Sequence, residues 1–399
     1  MAITDKEQGV WDVDQVYNKI NQGDIWSYDG GFGGLWSWGR GYVGMTGHND
    51  QVERSSPTQI PGTNWVPSAS NGVSFTETRM YAHKTDGTLW AWGENNYGQL
   101  GQNNMTNYSS PVQIGTETTY SKIFTGTNGA TAAIKTDGTL WTWGINNNGQ
   151  LGHNEVIPMG SAHTSSPKQV GTNTTWKQVA FGYLVMYATK TDGTLWSWGA
   201  NNVQLGQGNF TKRSSPTQIG TDTDWSNVGA GMYQGYATKT DGTLYSWGHN
   251  DDGSLGLNQA PANLGTTGDP TQVPGTTWSK VTGYRKGAFG LKTDNTLWVW
   301  GSQGTGDRKG ILGLNQPAPT KFSSPVQIPG SWASVSASYF GTAFATKTDG
   351  TAWSWGQNGN GQQGHNDTVS RSSPTQIPGT WSETNESAGT RAGLLTKIN

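Results

Sequence analysis

The sequence predicts an all-β fold, a seven-bladed β-propeller built from repeats of about 53 residues. Three observations predict it. A Leu-Trp-x-Trp-Gly pattern recurs along the chain, an Asp-Gly turn precedes most copies, and a Ser-Ser-Pro segment follows most of them. Each repeat therefore consists of several strands joined by fixed turns. Helical repeats are mostly shorter and show a period of about 3.6 residues, which is absent here.

The Leu-Trp-x-Trp-Gly half is present in seven copies, two of which carry one substitution each, at Tyr245 and Ala352. A spacing near 50 residues with several strands per unit is typical of propellers. The second tryptophan of each copy is Trp38, Trp92, Trp143, Trp198, Trp247, Trp300 or Trp355.

The turn before this half predicts a β-hairpin. In residues 187–198 two alternating segments flank Asp192-Gly193, and Asp-Gly in that position is the strongest short-range hairpin signal. One copy has Asp294-Asn295 instead, and Asn tolerates a positive φ better than other residues that carry a side chain. The two segments of each hairpin are therefore predicted to be neighbouring strands.

An Asn/Gly-rich bend follows each Trp-Gly, as at residues 95–101, and a variable loop then leads to the Ser-Ser-Pro strand. Proline near the start of a strand removes no ladder donor at a sheet edge, so this strand is predicted to be outermost. The next unit opens with an aromatic residue, which is Trp65, Tyr120, Trp176, Trp225, Trp278, Trp332 or Trp381.

The two ends predict how the ring closes. The first Leu-Trp-x-Trp-Gly half, 35–39, has no opening strand before it, and the last opening strand, 381–397, has no such half after it. Pairing of the N- and C-terminal strands in one blade would remove free sheet edges. The predicted domains are an N-terminal arm over residues 1–34 and the propeller over residues 35–399.

Composition excludes several classes of partner and chemistry. Charged residues make up 13% of the chain, and the formal net charge of −2 offers no long-range attraction to nucleic acid or an anionic membrane. The absence of Cys excludes disulfides, thiolate metal sites and Cys nucleophiles. The start lacks the pattern of a signal peptide, and no apolar stretch approaches the ~20 residues of a membrane span. We therefore expect neither nucleic-acid binding nor membrane insertion.

The Trp-Gly half, the Asn-x-x-Gly-Gln-Leu-Gly bend and the Ser-Ser-Pro strand resemble the regulator-of-chromosome-condensation repeat over about residues 35–397. The resemblance implies a seven-bladed propeller. It leaves the function open, because that family includes a nucleotide exchange factor for a small GTPase and similar bacterial propellers that inhibit β-lactamases. The fold does not distinguish among these activities, so the resemblance assigns no functional residue in this sequence.

Two motifs that resemble functional sites are predicted to belong to the scaffold. Residues 359–364 match G-x-G-x-x-G, but they form the repeat's own bend and lack the following helix that a dinucleotide site needs. His48, His153 and His365 follow the last Gly of three bends, so they are expected on separate blades and not around one metal ion. We predict no enzymatic activity, no cofactor and no metal site.

Binding is predicted where the repeats differ, because loops on a rigid scaffold can vary without disturbing it. The departures from the repeat are residues 68–79, 156–163, 259–268 and 304–310. Four loop aromatics could stack on a sugar, with packing against an adjacent blade as the alternative; they are Tyr97, Tyr108, Phe210 and Phe322.

The arm over residues 1–34 lies outside the repeat and is predicted to contain a short amphipathic helix. A helix of about ten residues is marginal on its own, so its apolar face must dock, either on another molecule or on the propeller itself. The candidate anchor residues are Trp11, Val13, Val16, Tyr17, Ile20 and Trp26. Residues 9–17, with Ile25-Trp26, also resemble short segments of tailed-phage structural proteins.

The main functional hypothesis is a non-enzymatic binding propeller on the surface of a phage virion, as a capsid decoration or a tail or fibre component. The arm would bind other virion proteins, and the loops would contact a host-surface protein or glycan. The alternative is a soluble, cytoplasmic regulator or inhibitor that binds one protein, like the exchange-factor and β-lactamase-inhibitor propellers.

Overall fold

A computed structural model of the chain describes residues 34–66, 73–76, 78–157, 163–259, 265–303, 309–339, 341–381 and 392–396. The predicted arm helix and all six candidate anchor residues lie outside these ranges. Within them the chain forms strands and turns, and the helical structure is one 3-10 turn, Tyr42–Gly44. No helix of the described residues is long and apolar enough to cross a membrane.

The strands follow the sequence repeat. The first nine are β1 (Leu35–Gly39), β2 (Arg54–Gln59), β3 (Val73–Phe75), β4 (Arg79–His83), β5 (Leu89–Gly93), β6 (Tyr108–Gln113), β7 (Tyr120–Thr125), β8 (Ala130–Lys135) and β9 (Leu140–Gly144). The next nine are β10 (Thr164–Gln169), β11 (Trp176–Phe181), β12 (Val185–Lys190), β13 (Leu195–Gly199), β14 (Arg213–Gln218), β15 (Trp225–Ala230), β16 (Gln234–Lys239), β17 (Leu244–His249) and β18 (Thr266–Val273). The last nine are β19 (Trp278–Tyr284), β20 (Gly287–Lys292), β21 (Leu297–Ser302), β22 (Lys321–Ile328), β23 (Trp332–Ala337), β24 (Thr342–Lys347), β25 (Thr351–Gly356), β26 (Arg371–Thr380) and β27 (Ala392–Thr396).

Twenty-four of the described strands form six antiparallel four-stranded sheets, and the other three form one further sheet. In each four-stranded sheet the strands lie side by side in chain order, as in β11-β12-β13-β14. The last strand carries Ser-Ser-Pro in five of these sheets and Gly268-Asp269-Pro270 in the sixth, β18. The Ser-Ser-Pro strand is therefore at the outer edge, as its proline predicts. The prediction of an all-β propeller is confirmed.

The three-stranded sheet joins the two ends of the described chain. Strand β1 pairs with β2 on one side and with β27 on the other, from Leu35 opposite Thr396 to Gly39 opposite Ala392. The position of a fourth strand in this sheet falls on residues 382–391, outside the described ranges. The structure thus describes six complete blades and three strands of another sheet.

Neighbouring sheets are connected by the second tryptophan of each Leu-Trp-x-Trp-Gly half. Trp198 is fully buried, and its Nε1–H donates a hydrogen bond of 2.9 Å to the carbonyl of Gln150, in the bend of the preceding sheet. We call this bond the tryptophan latch. Within the described residues the other latches run from Trp38 to Gln362, Trp92 to Met45, Trp143 to Gln99, Trp247 to Gln204, Trp300 to Ser254 and Trp355 to Ile311.

The Lys-Thr-Asp-Gly-Thr segment has a structural role that explains its recurrence. The Lys190 ammonium lies 4.7 Å from the Trp176 ring centroid and 3.9 Å from that of Trp196, a cation–π contact with both indoles. The Asp192 carboxylate accepts hydrogen bonds from the backbone N–H and the hydroxyl of Thr194. The Thr194 hydroxyl in turn accepts the Trp196 Nε1–H at 2.7 Å. The segment therefore fixes the turn and both rings together.

Candidate functional site

Each four-stranded sheet sends two loops to the same end of the propeller, because consecutive strands run antiparallel. The hairpin between the first and second strands, such as residues 182–184, and the bend and loop between the third and fourth, such as residues 200–212, leave one side, here called the bend face. The Asp-Gly turns, such as residues 192–193, leave the opposite side, here called the turn face. Three departures from the repeat, residues 156–163, 259–268 and 304–310, fall largely between the third and fourth strands of their sheets and so on the bend-face connections, although each is only partly described. Residues 68–79 instead fall on the opening strand β3 and the hairpin after it.

The bends are held by their own side chains. The Asn95 side-chain oxygen accepts the backbone N–H of Leu100 at 2.8 Å, and Asn358 does the same for Gln363 at 2.8 Å. Residues 359–364, which match G-x-G-x-x-G, are therefore the ordinary bend of the repeat, as predicted. A bend of this kind presents no helix N-terminus to a phosphate.

Three of the histidines donate hydrogen bonds within the scaffold. His153 Nε2 lies 2.9 Å from the Thr142 hydroxyl, whose single proton is donated to the Leu151 carbonyl at 2.7 Å, so the imidazole must be the donor. In another sheet Gln207 Nε2 donates to the Ser197 hydroxyl at 3.2 Å in the same way. The matching contacts join His48 to Ser37 and His365 to Ser354. The described residues contain no cluster of three or more His, Asp or Glu side chains suited to a metal ion.

These histidines predict a loss of stability in mildly acidic solution. Burial, with the nearby Lys168 cation, lowers the pKa of His153 to about 4, and burial with Arg54 or Arg371 does the same for His48 and His365. An unfolded histidine has a pKa near 6.5, so between about pH 6.5 and pH 4 the unfolded chain binds more protons than the folded chain. Stability is therefore fully present above about pH 6.5 and falls as the pH is lowered toward 4.

A triple variant, His48→Gln, His153→Gln and His365→Gln, tests this prediction because Gln207 shows that glutamine can supply the same donor. In urea unfolding at pH 7.5 and pH 4.5, we expect the triple variant to lose less stability than the original chain. His249→Gln is the control, because the His249 ring contacts the Asn202 carbonyl and not a Ser or Thr hydroxyl of the scaffold. This variant should behave like the original chain. An equal loss in all three proteins would contradict the prediction.

Large apolar side chains are exposed on the bend face. Among the described residues, every large hydrophobic side chain with high exposure lies on the connection between a Trp-x-Trp-Gly strand and the edge strand that follows it. Phe210 is the most exposed at 73%. These residues are here called the rim set: Tyr42, Val52, Tyr97, Met105, Val156, Phe210 and Val369. High exposure of large apolar side chains therefore distinguishes the bend face from the turn face among the described residues.

The four loop aromatics selected from the sequence do not form one binding platform. Tyr97, 41% exposed, packs edge-on against His163 with ring centroids 5.3 Å apart, and Phe210 projects from a different sheet. Tyr108 and Phe322 are partly buried and pack against hydrophobic clusters. No two of these four rings stack on each other within the described part of the chain. Sugar stacking by any of them stays a prediction.

A second group of side chains lines part of the mouth of the central channel on the bend face. It comes from the first hairpins of four consecutive sheets and is here called the mouth cluster: Tyr183, Met232, Tyr233, Arg285 and Tyr339. All five are partly exposed. The corresponding hairpin of the preceding sheet, residues 126–129, carries only small or polar side chains.

The mouth cluster is a connected set of contacts. The rings of Tyr183 and Tyr233 pack edge to face at 5.8 Å, and the Tyr339 hydroxyl donates to the Met232 sulfur at 3.1 Å. Met232 and Tyr339 belong to sheets that are separated by one other sheet, so this contact spans part of the channel mouth. The Arg285 guanidinium lies 5.7 Å from the Tyr339 ring centroid.

The channel beneath the mouth is narrow. Its cavity has a volume of about 110 Å³ and is lined by the inner strands, with Phe124, Phe181 and Tyr284 among the lining residues. Pockets for small molecules usually measure about 300–1,000 Å³. The cavity can hold several water molecules but not a ligand of ordinary size. The mouth cluster is therefore suited to contact a surface placed on it and not to enclose a substrate.

Comparison with known proteins gives the family. A family model described as the RCC1-like domain matches residues 34–395. The chain belongs to the RCC1-like domain family. It is 28% identical over 181 residues to the human E3 ubiquitin-protein ligase HERC2, and the match covers 44% of this chain and 4% of HERC2. The chain thus matches a small fraction of that relative's length.

Two solved structures share the fold of this RCC1-like domain. Human WBSCR16 superposes with a TM-score of 0.79 at 18% identity, covering 92% of this chain and 99% of that one. Yeast RCC1 (Prp20), solved with Kap60 bound to it, gives a TM-score of 0.76 at 18% identity, covering 92% and 90%. At this identity the likeness establishes the RCC1-like propeller alone.

Sequence reasoning missed the mouth cluster of this RCC1-like domain. The members are single residues within short first hairpins, whereas the departures from the repeat are segments of seven to twelve residues. Aligning the first hairpins would have shown the signal, because Gly-Thr-Asn-Gly at 126–129 becomes Gly-Tyr-Leu at 182–184 and Gly-Met-Tyr at 231–233. The convergence of Met232 with Tyr339, 107 residues apart, follows only from the ring.

Proposed function

We propose that this RCC1-like domain is a protein-binding regulator that contacts its partner through the bend face. The position of the rim set carries the proposal, because high exposure of large apolar side chains is confined to this face among the described residues. The mouth cluster lies on the same face, and its Tyr, Met and Arg residues are enriched in protein interfaces. Yeast RCC1, bound to Kap60, offers a precedent for a protein complex of this fold.

The proposal adopts the regulator or inhibitor alternative, not the virion hypothesis. The arm that would anchor the chain to a particle lies in residues 1–34, almost entirely outside the described ranges, and the relatives reported above carry no virion name. The particle role stays a prediction. A small GTPase and a β-lactamase are the partner classes to test first, because the resemblance implies both.

We also propose that the three-stranded sheet is the seventh blade and that the propeller begins near residue 35. The family match from residue 34 to residue 395 and the pairing of β1 with β27 support this arrangement. The latch from Trp38 to Gln362 and the latch from Trp92 to Met45 connect that sheet to both of its neighbours. The bend face would then be a closed ring of loops.

The binding proposal is tested with a partner and two variants. Proteins retained from an extract of the source cells by the immobilised full chain are identified, and the most abundant is purified and titrated calorimetrically. We expect a double variant, Met105→Ser and Phe210→Ser, to bind that partner roughly tenfold more weakly, because buried apolar contacts dominate interface affinity. Lys280→Ser, an exposed residue of β19 near the turn face, is the control. Equal affinity of all variants would overturn the proposal.

A further inference from the structure

Arg285 differs from Lys286, the next charged side chain on the same hairpin, because no carboxylate of the described residues pairs with it. The adjacent Lys286 forms an ion pair of 2.7 Å with Asp252, which also pairs with Lys321 at 2.6 Å. Among the described residues no carboxylate pairs with Arg285, and the contact that defines its position is with the Tyr339 ring. Arg285 is partly exposed.

The surroundings of Arg285 favour a specific contact. A guanidinium beside an aromatic ring is restricted in orientation and can still bind a carboxylate through two parallel hydrogen bonds. Tyr183, Met232 and Tyr233 extend from it as a partly exposed apolar surface. Tyr233 also packs against His249, with ring centroids 5.2 Å apart, so this surface continues toward the outer loops.

We infer that the mouth cluster binds a protein segment that presents one carboxylate side chain next to an apolar side chain. The carboxylate pairs with Arg285, and the apolar side chain packs on Tyr183, Met232 and Tyr233. This inference rests on the proposed function and specifies the chemistry of the partner at the centre of the bend face. The rim set contacts the remainder of the partner.

The charge at the mouth favours a carboxylate over a polyanion. One uncompensated guanidinium matches one monoanionic carboxylate, whereas nucleic acid is bound by several cations that neutralise successive phosphates. Asp251 and Asp252 lie on the bend next to this surface, and the net charge of the chain is −2. Lys286 and Lys321 both pair with Asp252, so the mouth offers one guanidinium and not a row of free cations that could follow successive phosphates.

The test uses a displayed library of random peptides of about twelve residues, a length that covers an extended binding segment. The folded full chain is the target, and the strongest binder is then synthesised. The protein variants are Arg285→Gln, Arg285→Lys and Tyr233→Ala, with Lys212→Gln as the matched control because Lys212 is an exposed cation on an outer loop of the same face. Thermal unfolding checks that each variant is folded.

We expect selected peptides to be enriched in Asp or Glu beside an aromatic or aliphatic residue. Arg285→Gln should weaken the strongest peptide by at least roughly tenfold, since removing one partner of a desolvated charge pair is costly. Arg285→Lys should recover part of that loss, and Lys212→Gln should bind normally. Replacing the peptide's acidic residue by its amide should add little to the loss in Arg285→Gln, as a direct pair requires.

Three outcomes would overturn the inference. Peptide binding that depends on Tyr233 but not on Arg285 would exclude recognition of a carboxylate. It would leave the proposed function intact, because the double variant Met105→Ser and Phe210→Ser tests that function separately. Arg285-dependent binding of a single-stranded oligonucleotide, without binding of peptides, would show that the mouth cluster recognises a nucleic acid and not a protein segment. A library without binders above background would show that the mouth does not recognise a peptide segment.

Discussion

Trp198→Ala is expected to lower the free energy of unfolding by about 3–5 kcal/mol, the usual cost of removing a fully buried tryptophan. The side chain packs against Trp176, with ring centroids 5.9 Å apart, and belongs to the same hydrophobic cluster as Leu140 and Val170 of the preceding sheet. Its loss therefore weakens the contact between two blades and not only the interior of one. Urea unfolding followed by far-ultraviolet circular dichroism measures the change.

The matched pair Trp198→Phe and Trp196→Phe separates the latch from ring packing. Trp198→Phe keeps an aromatic ring and removes the Nε1–H that donates to Gln150, leaving a buried carbonyl without that donor, at a cost of about 1–3 kcal/mol. The Trp196 indole is partly exposed and donates to Thr194 of its own blade. We expect Trp196→Phe to be the milder change, and the reverse order would contradict the role of the latch.

The latch also explains why the fold was predictable from the sequence. Gly152 has φ +77° and lies so close to the Trp198 indole that a Cβ there would come within 2.9 Å of Nε1. The tryptophan and the bend glycine are thus required by one contact, and that contact is repeated around the ring. A constraint that recurs in every blade leaves a periodic signal in the sequence, which is why the strands, the outer edge and the scaffold histidines could be predicted.

The candidate site leaves no periodic signal. Arg285 and Tyr339 occupy hairpin positions that hold other residue types in the remaining blades, so neither the repeat nor composition distinguishes them from tolerated variation. Their proximity depends on the curvature that stacks one sheet against the next. The sequence identifies the loop aromatics by residue type alone, and residue type does not determine exposure. Whether a ring such as Tyr108 is exposed or packed depends on neighbours in the folded sheet.

Deleting residues 382–399, which removes β27, is expected to lower the melting temperature by about 10 °C or more. Strand β27 pairs with β1 over five residue pairs, and at a net value of about 1 kcal/mol for each hydrogen bond the loss is on the order of 5 kcal/mol. The β1-β2 hairpin would keep two strands and an open edge, an arrangement that is marginal in water and prone to association. Deleting residues 397–399 alone leaves β27 in place and is the control.

The same deletion tests whether ring closure positions the binding surface or only stabilises the fold. The mouth cluster lies on hairpins between β11 and β24, and none of its members contacts β27 among the contacts described above. In repeat structures each unit is stabilised mainly by its neighbours, so we expect the shortened chain to retain peptide binding well below its melting temperature. Size-exclusion chromatography and calorimetric titration at low temperature measure both properties. Loss of binding in a chain that remains folded and monomeric would show that the closed ring sets the geometry of the mouth.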